Sequence, residues 1–272
     1  MGGSAGSTSG EPLLRWAGSK RKLLPILQES CPETFGRYIE PFAGSACLFF
    51  QLRPALAVLA DLNTHLIDMY REVRKDSLAV WRHLSRLPLG EASYYEIRHY
   101  FASCPPGPKK AAIFIYLNRF CFNGLYRTNN AGVFNVPYGG IRNGKLPDRS
   151  ELRRVSQSLA KVILEHGDFE EIVRRNVTKG DLVYMDPPFT IENRRAITYF
   201  GTSTFSPKDE QRLTALLDDI DSARASFVLS YAHTPRLNKL FKKWNRRKVS
   251  VRRNIAGFAG ARRMAFEMLV TN

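Results

Sequence analysis

The stretch Gly180-Asp181-Leu182-Val183-Tyr184-Met185-Asp186-Pro187-Pro188-Phe189 constrains this chain more than any other. Its apolar run, Leu182 to Met185, reads as a buried strand of a parallel sheet, since a strand covered on both faces is apolar at consecutive positions. That strand delivers an acid, two prolines and an aromatic ring to its carboxyl end, where open α/β sheets bind ligands. Pro187 and Pro188 supply no backbone donor and fix φ, and Pro187 also restricts Asp186. The result is a stiff turn with free carbonyls and a ring at a fixed distance from a carboxylate. A planar amino-heterocycle fits it, stacked on Phe189 with its exocyclic NH2 donating to Asp186 and the Pro187 carbonyl. A plain turn closing a buried strand is the competing reading.

A chain of 272 residues can bury a sizeable core as one large domain or two smaller ones. Apolar content of 44% and charged content of 24% are those of a globular protein, and no apolar run approaches the roughly 20 residues of a membrane helix. The formal charge of +16, from 41 Lys+Arg against 25 Asp+Glu, favours a polyanionic partner. Nucleic acid comes first and an acidic membrane surface second. Cys31, Cys47, Cys104 and Cys121 form no CxxC pair and no metal-ligand spacing, so they read as free thiols in a reducing compartment. Residues 1–12 read as a disordered tail.

Ser19 is placed to N-cap a helix through Lys22, Leu23, Leu24 and Leu27. Next come a strand, Arg37 to Glu40, a small-residue turn, Pro41 to Cys47, and a helix. A second strand, Leu56 to Ala60, ends in Asp61. A Gly-containing turn after one strand, with an acid ending the next, is how open α/β folds hold a nucleoside. The GxGxxG spacing is missing, which argues against pyrophosphate. A helix follows from Leu62 to about Val73.

Residues 76–160 break the strand–helix rhythm and read as an inserted, mainly helical subdomain between catalytic parts 13–75 and 161–272. After the apolar helix Ala111 to Leu117, the segments Asn118 to Asn129 and Phe134 to Gly139 are aromatic, amide-rich and basic. Arg and Asn can pair bidentately with guanine and adenine edges. A surface loop whose turns need Asn and Gly explains the same composition.

The sheet pattern resumes at Lys161 to Glu165, followed by Asp168, which either accepts from an adenine amino group or N-caps the helix that starts at Phe169. Thr190 through Phe205 reads as a lid. Ser206-Pro207-Lys208-Asp209 is a strong helix start, with Leu213, Leu216, Leu217 and Ile220 as the buried face. Strands follow at Ser226 to Ser230 and Met264 to Val270. Between them, Arg236, Lys239, Lys242, Lys243, Arg246, Arg247, Lys248, Arg252 and Arg253 form a tract that supplies over half of the net charge and reads as a phosphate-contacting surface.

In their order these motifs resemble the Dam-type DNA adenine-N6 methyltransferases over nearly all of residues 13–272. The resemblance implies an α/β Rossmann-like fold with a mostly parallel sheet, an inserted DNA-recognition subdomain, S-adenosylmethionine as cofactor, and no metal. Trp16-Ala17-Gly18-Ser19-Lys20 is similar to the family's N-terminal cofactor segment, Glu40-Pro41-Phe42-Ala43-Gly44 to its cofactor loop, and Asp61 to its ribose-binding acid. Asp168 and Phe169 fall where the cofactor adenine is met. Asp186, Pro187, Pro188 and Phe189 match the catalytic motif, with Asp186 also beside the cofactor. Arg119, Asn123, Gly124, Arg127, Asn135, Pro137 and Tyr138 lie in the recognition signature, and Arg252 and Arg253 in a late basic hairpin. These are the implied DNA contacts, to a base flipped out of duplex DNA.

Two positions depart from the pattern: Ala46 stands where the family usually has a second glycine, and Phe189 replaces the commoner tyrosine. The catalytic motif is shared with N4-cytosine methyltransferases, and RNA or protein amides are further substrates such chemistry could serve. A non-catalytic DNA-binding protein that kept the fold is the alternative outside enzymology, against which the intact Asp186 and both prolines argue. The resemblance further suggests a short palindrome such as GATC, a monomer or weak dimer without membrane association, and a prokaryotic or phage-encoded, nucleoid-associated cytoplasmic enzyme. It leaves open a cognate restriction endonuclease.

Overall fold

A computed structural model describes residues 11–140, 145–189, 205–252 and 264–272. Parallel strands β1 (Tyr38–Glu40), β2 (Ala57–Asp61), β3 (Val162–His166), β4 (Leu182–Met185) and β5 (Ser226–Ala232) form the centre of one seven-stranded sheet. Two further strands, β6 (Asn245–Arg252) and β7 (Met264–Thr271), complete it in the order β3-β2-β1-β4-β5-β7-β6. β7 runs antiparallel to both of its neighbours. The chain travels outward from β1 through β2 to β3, then returns to lay β4 on the other side of β1. That reversal makes the carboxyl ends of β1 and β4 the topological switch point, where open α/β sheets bind their ligands.

The apolar strands alternate between two cores. Tyr38, Leu182 and Tyr184 face one core, while Ile39, Val183 and Met185 face the other. The first core is covered by α1 (Leu24–Glu29), α2 (Cys47–Leu52), α3 (Thr64–Leu84), α4 (Glu91–Ser103), α5 (Pro108–Phe120) and α6 (Arg149–Ser158). The second is covered by α7 (Phe169–Asn176), α8 (Pro207–Ser222) and α9 (Pro235–Leu240). The molecule is thus a helix–sheet–helix sandwich of the Rossmann-like kind, with a helical insertion between β2 and β3.

Three local expectations are corrected. Ser19 caps no helix: its hydroxyl accepts from Ser45 Oγ (3.1 Å), and the chain enters α1 through the short turn Arg21–Leu23. The helix expected to end near Val73 runs on to Leu84, with a break in helical geometry at Asp76 (φ −153°, ψ 83°). There the Asp76 carboxylate accepts from the Ala79 N–H (2.9 Å) and caps the second half. The basic tract contains a strand, β6, that the sequence reading did not assign; its charges hide the period.

The start of α8 follows the sequence signal closely. Ser206 Oγ accepts from Asp209 N (3.2 Å) while Asp209 Oδ2 accepts from Ser206 N (2.9 Å), a complete capping box, and Leu213, Leu216, Leu217 and Ile220 are fully buried. Ser206→Ala should lower unfolding free energy by about 1 kcal/mol. An unchanged urea midpoint would show that the neighbouring packing, rather than the cap, fixes this helix end.

Candidate active site

The strands deliver acids to one rim. Glu40 ends β1, Asp61 ends β2, and Asp186 follows β4. The β1–β4 register pairs Tyr38 with Leu182 and Ile39 with Val183, so one further step sets Glu40 beside Tyr184 and Asp186 just beyond. Burial pushes the Glu40 carboxyl well above the usual carboxylate range. The Tyr38 hydroxyl, donating to Glu40 Oε2 (2.9 Å), pulls against this, and the charges of Asp186 and Asp61 add to it. The Tyr184 hydroxyl lies buried in the same cluster and has no hydrogen-bond partner among the described residues.

Asp61 organises the loop after β1. Its carboxylate accepts from Gly44 N (3.0 Å) and Asn63 N (2.9 Å). Burial raises its pKa, and these donors act in the opposite direction. Tyr70 Oη donates to the Gly44 carbonyl (2.9 Å). Gly44 has φ +46°, and a Cβ there would come 2.8 Å from Trp16 Cδ1. The Trp16 indole lies directly against this loop and stacks with Tyr126 (6.1 Å, 19°) and Phe114 (6.5 Å, 29°). Ala46 is buried with φ 50° and ψ 38°, the left-handed conformation that a glycine adopts without strain.

Lys20 occupies the centre. Its buried ammonium donates to Asp186 Oδ1 (3.0 Å) and Glu267 Oε2 (3.2 Å) and sits 4.9 Å from the Phe189 ring centroid. Burial alone pulls its pKa down, but the two carboxylates outweigh burial and hold the ammonium above its ordinary range. Phe189 is half-buried and meets Tyr231 edge-on (5.6 Å, 76°). Pro187 is buried and Pro188 exposed. Phe42 stacks on Phe169 (5.2 Å) and meets Phe205 edge-on (6.1 Å), forming an aromatic wall. Burial pushes the Cys47 thiol up to about 11.

Asp168 caps α7: its carboxylate accepts from Glu170 N (3.0 Å) and also pairs with Arg212. Arg212 covers the Phe169 ring (4.7 Å).

The recognition signature forms a folded loop after α5. Bridges join Cys121 to Tyr138 and Thr128 to Phe134. Gly124 (φ +64°) packs so closely that any Cβ would strike the Arg15 carbonyl, and Asn118 exchanges hydrogen bonds with the Arg15 backbone (2.9 and 2.7 Å). Arg127 Nε donates to Asn135 Oδ1 (2.8 Å). Asn123 (φ 56°) and Pro137 are exposed, and Tyr138 packs on Tyr94 (5.4 Å). Arg119 reaches the Leu13 carbonyl (3.3 Å), apart from the Arg127 pair.

Within the basic tract, Arg236 pairs with Glu210, Lys243 with Asp218, and Arg247 with Glu29, so much of its charge is met inside the protein. Arg252 pairs through its backbone with Met264. Arg253 and residues 190–204 of the expected lid lie outside the described residues, as does most of the expected tail.

Sequence reading missed Glu267, Tyr184 and Phe205. A signal for Glu267 was present: a single acid in the apolar run Met264 to Val270 requires a buried partner.

Strand-end acids at a topological switch point, a tight Gly44 loop and an Asp-Pro-Pro-Phe turn beside them make up the end of a Rossmann-like sheet where such folds bind ligands. The family model of D12 class N6 adenine-specific DNA methyltransferases matches residues 16–255, and the chain belongs to this family. It is similar to a type II methyltransferase of Lactococcus lactis subsp. cremoris, 32% identical over 96% of this chain and 95% of the relative. A type II methyltransferase of Methanocaldococcus jannaschii is 33% identical, covering 96% and 99%. The DNA adenine methylase of Escherichia coli strain K12 is 27% identical, covering 94% and 93%. The enzyme methylates adenine in duplex DNA with S-adenosylmethionine as methyl donor.

The loop geometry yields a prediction. Ala46→Gly removes left-handed strain, so unfolding free energy or cofactor binding should improve by up to about 1 kcal/mol, roughly fivefold in affinity. Gly44→Ala should weaken cofactor binding, because the Trp16 ring would have to move. Titration calorimetry with S-adenosylmethionine checks both; equal affinity in all three proteins would mean this loop does not set the cofactor site.

Proposed function

We propose that the crevice between β1 and β4 holds S-adenosylmethionine and that the Asp186–Phe189 turn receives a target adenine flipped out of the duplex. The fit of the cofactor rests on the Gly44 loop, cradled so tightly that no Cβ is accommodated, and on the acids at the strand ends. Asp61 reaches the ribose hydroxyls in exchange for part of its present backbone pairing. Trp16, Ala17 and Gly18 flank the methionine end, with Glu40, Pro41 and Phe42 beneath it. Phe169 and the Asp168 region border the adenine ring. The cofactor supplies an electrophilic methyl group on a positively charged sulfur.

The residues of this chain supply alignment. Phe189 offers a face for the flipped base. Asp186 and the Pro187 carbonyl accept the two N6–H bonds, and Pro188 stiffens the turn that fixes them. Those two acceptors favour a more pyramidal nitrogen, whose lone pair is no longer fully delocalised into the ring. Transfer then needs alignment more than a strong base. The Lys20–Asp186 contact is the observation that carries this reading, since a buried ammonium holds the partly exposed Asp186 carboxylate in place beside Phe189.

The part spanning residues 76–160 serves as the target-recognition unit, and 13–75 with 161–272 as the catalytic unit. Asn123, Gly124, Arg127, Asn135, Pro137 and Tyr138 meet the target sequence, while Arg119, Arg252 and Arg253 meet phosphates. Arg127, oriented by Asn135, is suited to a bidentate base contact. A short palindrome such as GATC, methylated one strand at a time by a monomer, is consistent with one active site per chain. Whether a cognate restriction endonuclease accompanies the enzyme is a question for the neighbouring genes. No helix among the described residues is long and apolar enough to cross a membrane; for an enzyme that acts on DNA, the nucleoid of a prokaryotic cytoplasm is the location we propose.

Single-molecule sequencing of plasmid DNA from a methylation-free host tests the reading. Wild-type protein should leave N6-methyladenine in one short motif, and Asp186→Ala should leave none. Methylated cytosine N4 would overturn the base assignment, and full methylation by Asp186→Ala would overturn the catalytic site. In the same assay Arg127→Ala should relax or shift the motif, with about 1–3 kcal/mol of discrimination lost at one base pair. An unchanged motif would remove Arg127 from sequence readout.

A further inference from the structure

We infer that Arg212 is a positioning residue for the cofactor: it joins the starts of α7 and α8 and so fixes the aromatic wall that borders the adenine end of S-adenosylmethionine. The inference rests on that end of the cofactor lying beside Asp168 and Phe169. Arg212 belongs to α8, and its guanidinium meets three acids with three different nitrogens. Nη1 donates to Asp209 Oδ1 (2.9 Å) within α8, and Nε to Glu170 Oε2 (2.6 Å) of α7. Nη2 donates to Asp168 Oδ1, on the residue that caps α7. A guanidinium is a rigid plane of donors, so three such bonds fix the carboxylates relative to one another.

Each of the two helix starts carries a ring of the wall. Phe169 follows the Asp168 cap directly, and Phe205 directly precedes Ser206, which caps α8. Their centroids lie 5.8 Å apart, and Phe42, from the loop after β1, completes a triangle at 5.2 and 6.1 Å. The guanidinium carbon stands 4.7 Å from the Phe169 centroid, so Arg212 holds that ring by its face as well as through the residue before it. Without this cation, Asp168, Glu170 and Asp209 would gather like charges at two helix starts, and their repulsion would favour separating them. The Arg212 side chain is 31% exposed, so solvent screens what its ion pairs add to stability. What the planar three-way contact supplies is geometry. Arg174 provides the comparison within the protein. It joins the same two helices through Glu170 and Asp219, but has no bond to Asp168 and no ring contact with Phe169 among the described residues.

The test measures binding of S-adenosylhomocysteine, and of methylthioadenosine, which keeps the nucleoside but lacks the amino-acid end. The proteins are wild type, Arg212→Met, Arg212→Lys, Arg174→Met and Phe169→Leu, with steady-state methylation and thermal unfolding followed beside them. Arg212→Met should bind both ligands about 10-fold more weakly, by the same factor, because the lost preorganisation acts on the nucleoside end. Its kcat should stay within about twofold of wild type while the cofactor KM rises. Arg212→Lys, a point charge without the planar fork, should recover only part of the loss. Arg174→Met should lower Tm about as much as Arg212→Met does and leave both affinities unchanged.

Wild-type affinity for both ligands in Arg212→Met overturns the inference. So does a loss confined to S-adenosylhomocysteine, which would put the effect at the amino-acid end. An equal loss of affinity in Arg174→Met also overturns it, since the two helices would then matter only as a packed pair. If Arg212→Met is too unstable to assay, Arg212→Lys decides: wild-type affinity there means that the three-way contact positions nothing. Phe169→Leu separates the two claims. If it binds methylthioadenosine as wild type does, the adenine end lies elsewhere and that placement fails; if it binds weakly while Arg212→Met is unimpaired, only the role of Arg212 fails.

Discussion

The pairing of β4 with β1 is the constraint from which the site follows. Had β4 been added beyond β3, the acids after β1 and β4 would have stood three strands apart. Lying adjacent instead, they bring Glu40 and Asp186 into electrostatic contact in a buried place. Such a cluster is costly unless protons or cations offset it. The fold supplies both: the Tyr38 hydroxyl on Glu40, and Lys20 on Asp186. Lys20 comes from the segment before the first strand, so the N-terminal stretch is required for the charge balance of a site whose other parts lie far along the chain.

Trp16 ties that same stretch to the inserted helices. Its indole excludes any side chain at Gly44 on one side and stacks with Tyr126 and Phe114 on the other. One residue earlier, the Arg15 backbone is locked to Asn118, and its carbonyl leaves no room for a Cβ at Gly124. The loop at Gly44 and the loop at Gly124 thus share one short connecting segment, which meets the first through the Trp16 ring and the second through the Arg15 backbone. A shift of either loop by the width of a methyl group would be resisted by the other, since packed interiors do not deform continuously. Small residues at Gly44 and Gly124 are the direct cost of this closeness.

Strands and strand-end acids were legible because burial on both faces leaves an unambiguous apolar run, and because an acid after such a run sits at the sheet's mouth whatever its partners. The start of α8 was legible for a local reason, its capping box. Distant partners were not. Ser19 looks like a cap in one dimension, yet its hydroxyl is engaged by Ser45 in three. Asp168 fitted two roles equally in sequence, and only the placement of Arg212 and Glu170 shows which bonds it makes. Within the basic tract, nothing local reveals that Arg236 and Lys243 meet acids of α8 and that Arg247 meets Glu29 of α1. Its strand, β6, lies at the sheet edge, where basic residues also discourage pairing with another chain.

Two buried acids show what such a reading can recover. Glu210 sits among the apolar positions of α8, and Glu267 among those of β7. Each announces a buried cation, because leaving either carboxylate without one would cost about 3–5 kcal/mol. Neither announces which cation. Glu210 takes Arg236, whose side chain is half exposed and belongs to the same end of the sheet, with Tyr231 completing the set. Glu267 takes Lys20, a cation already committed to Asp186. The same sequence signal therefore marks a structural pair in one case and a shared charge in the other. What separates them is whether the partner also touches the Asp-Pro-Pro-Phe turn, and that is a property of the β4–β5–β7 arrangement rather than of either acid's neighbours in sequence.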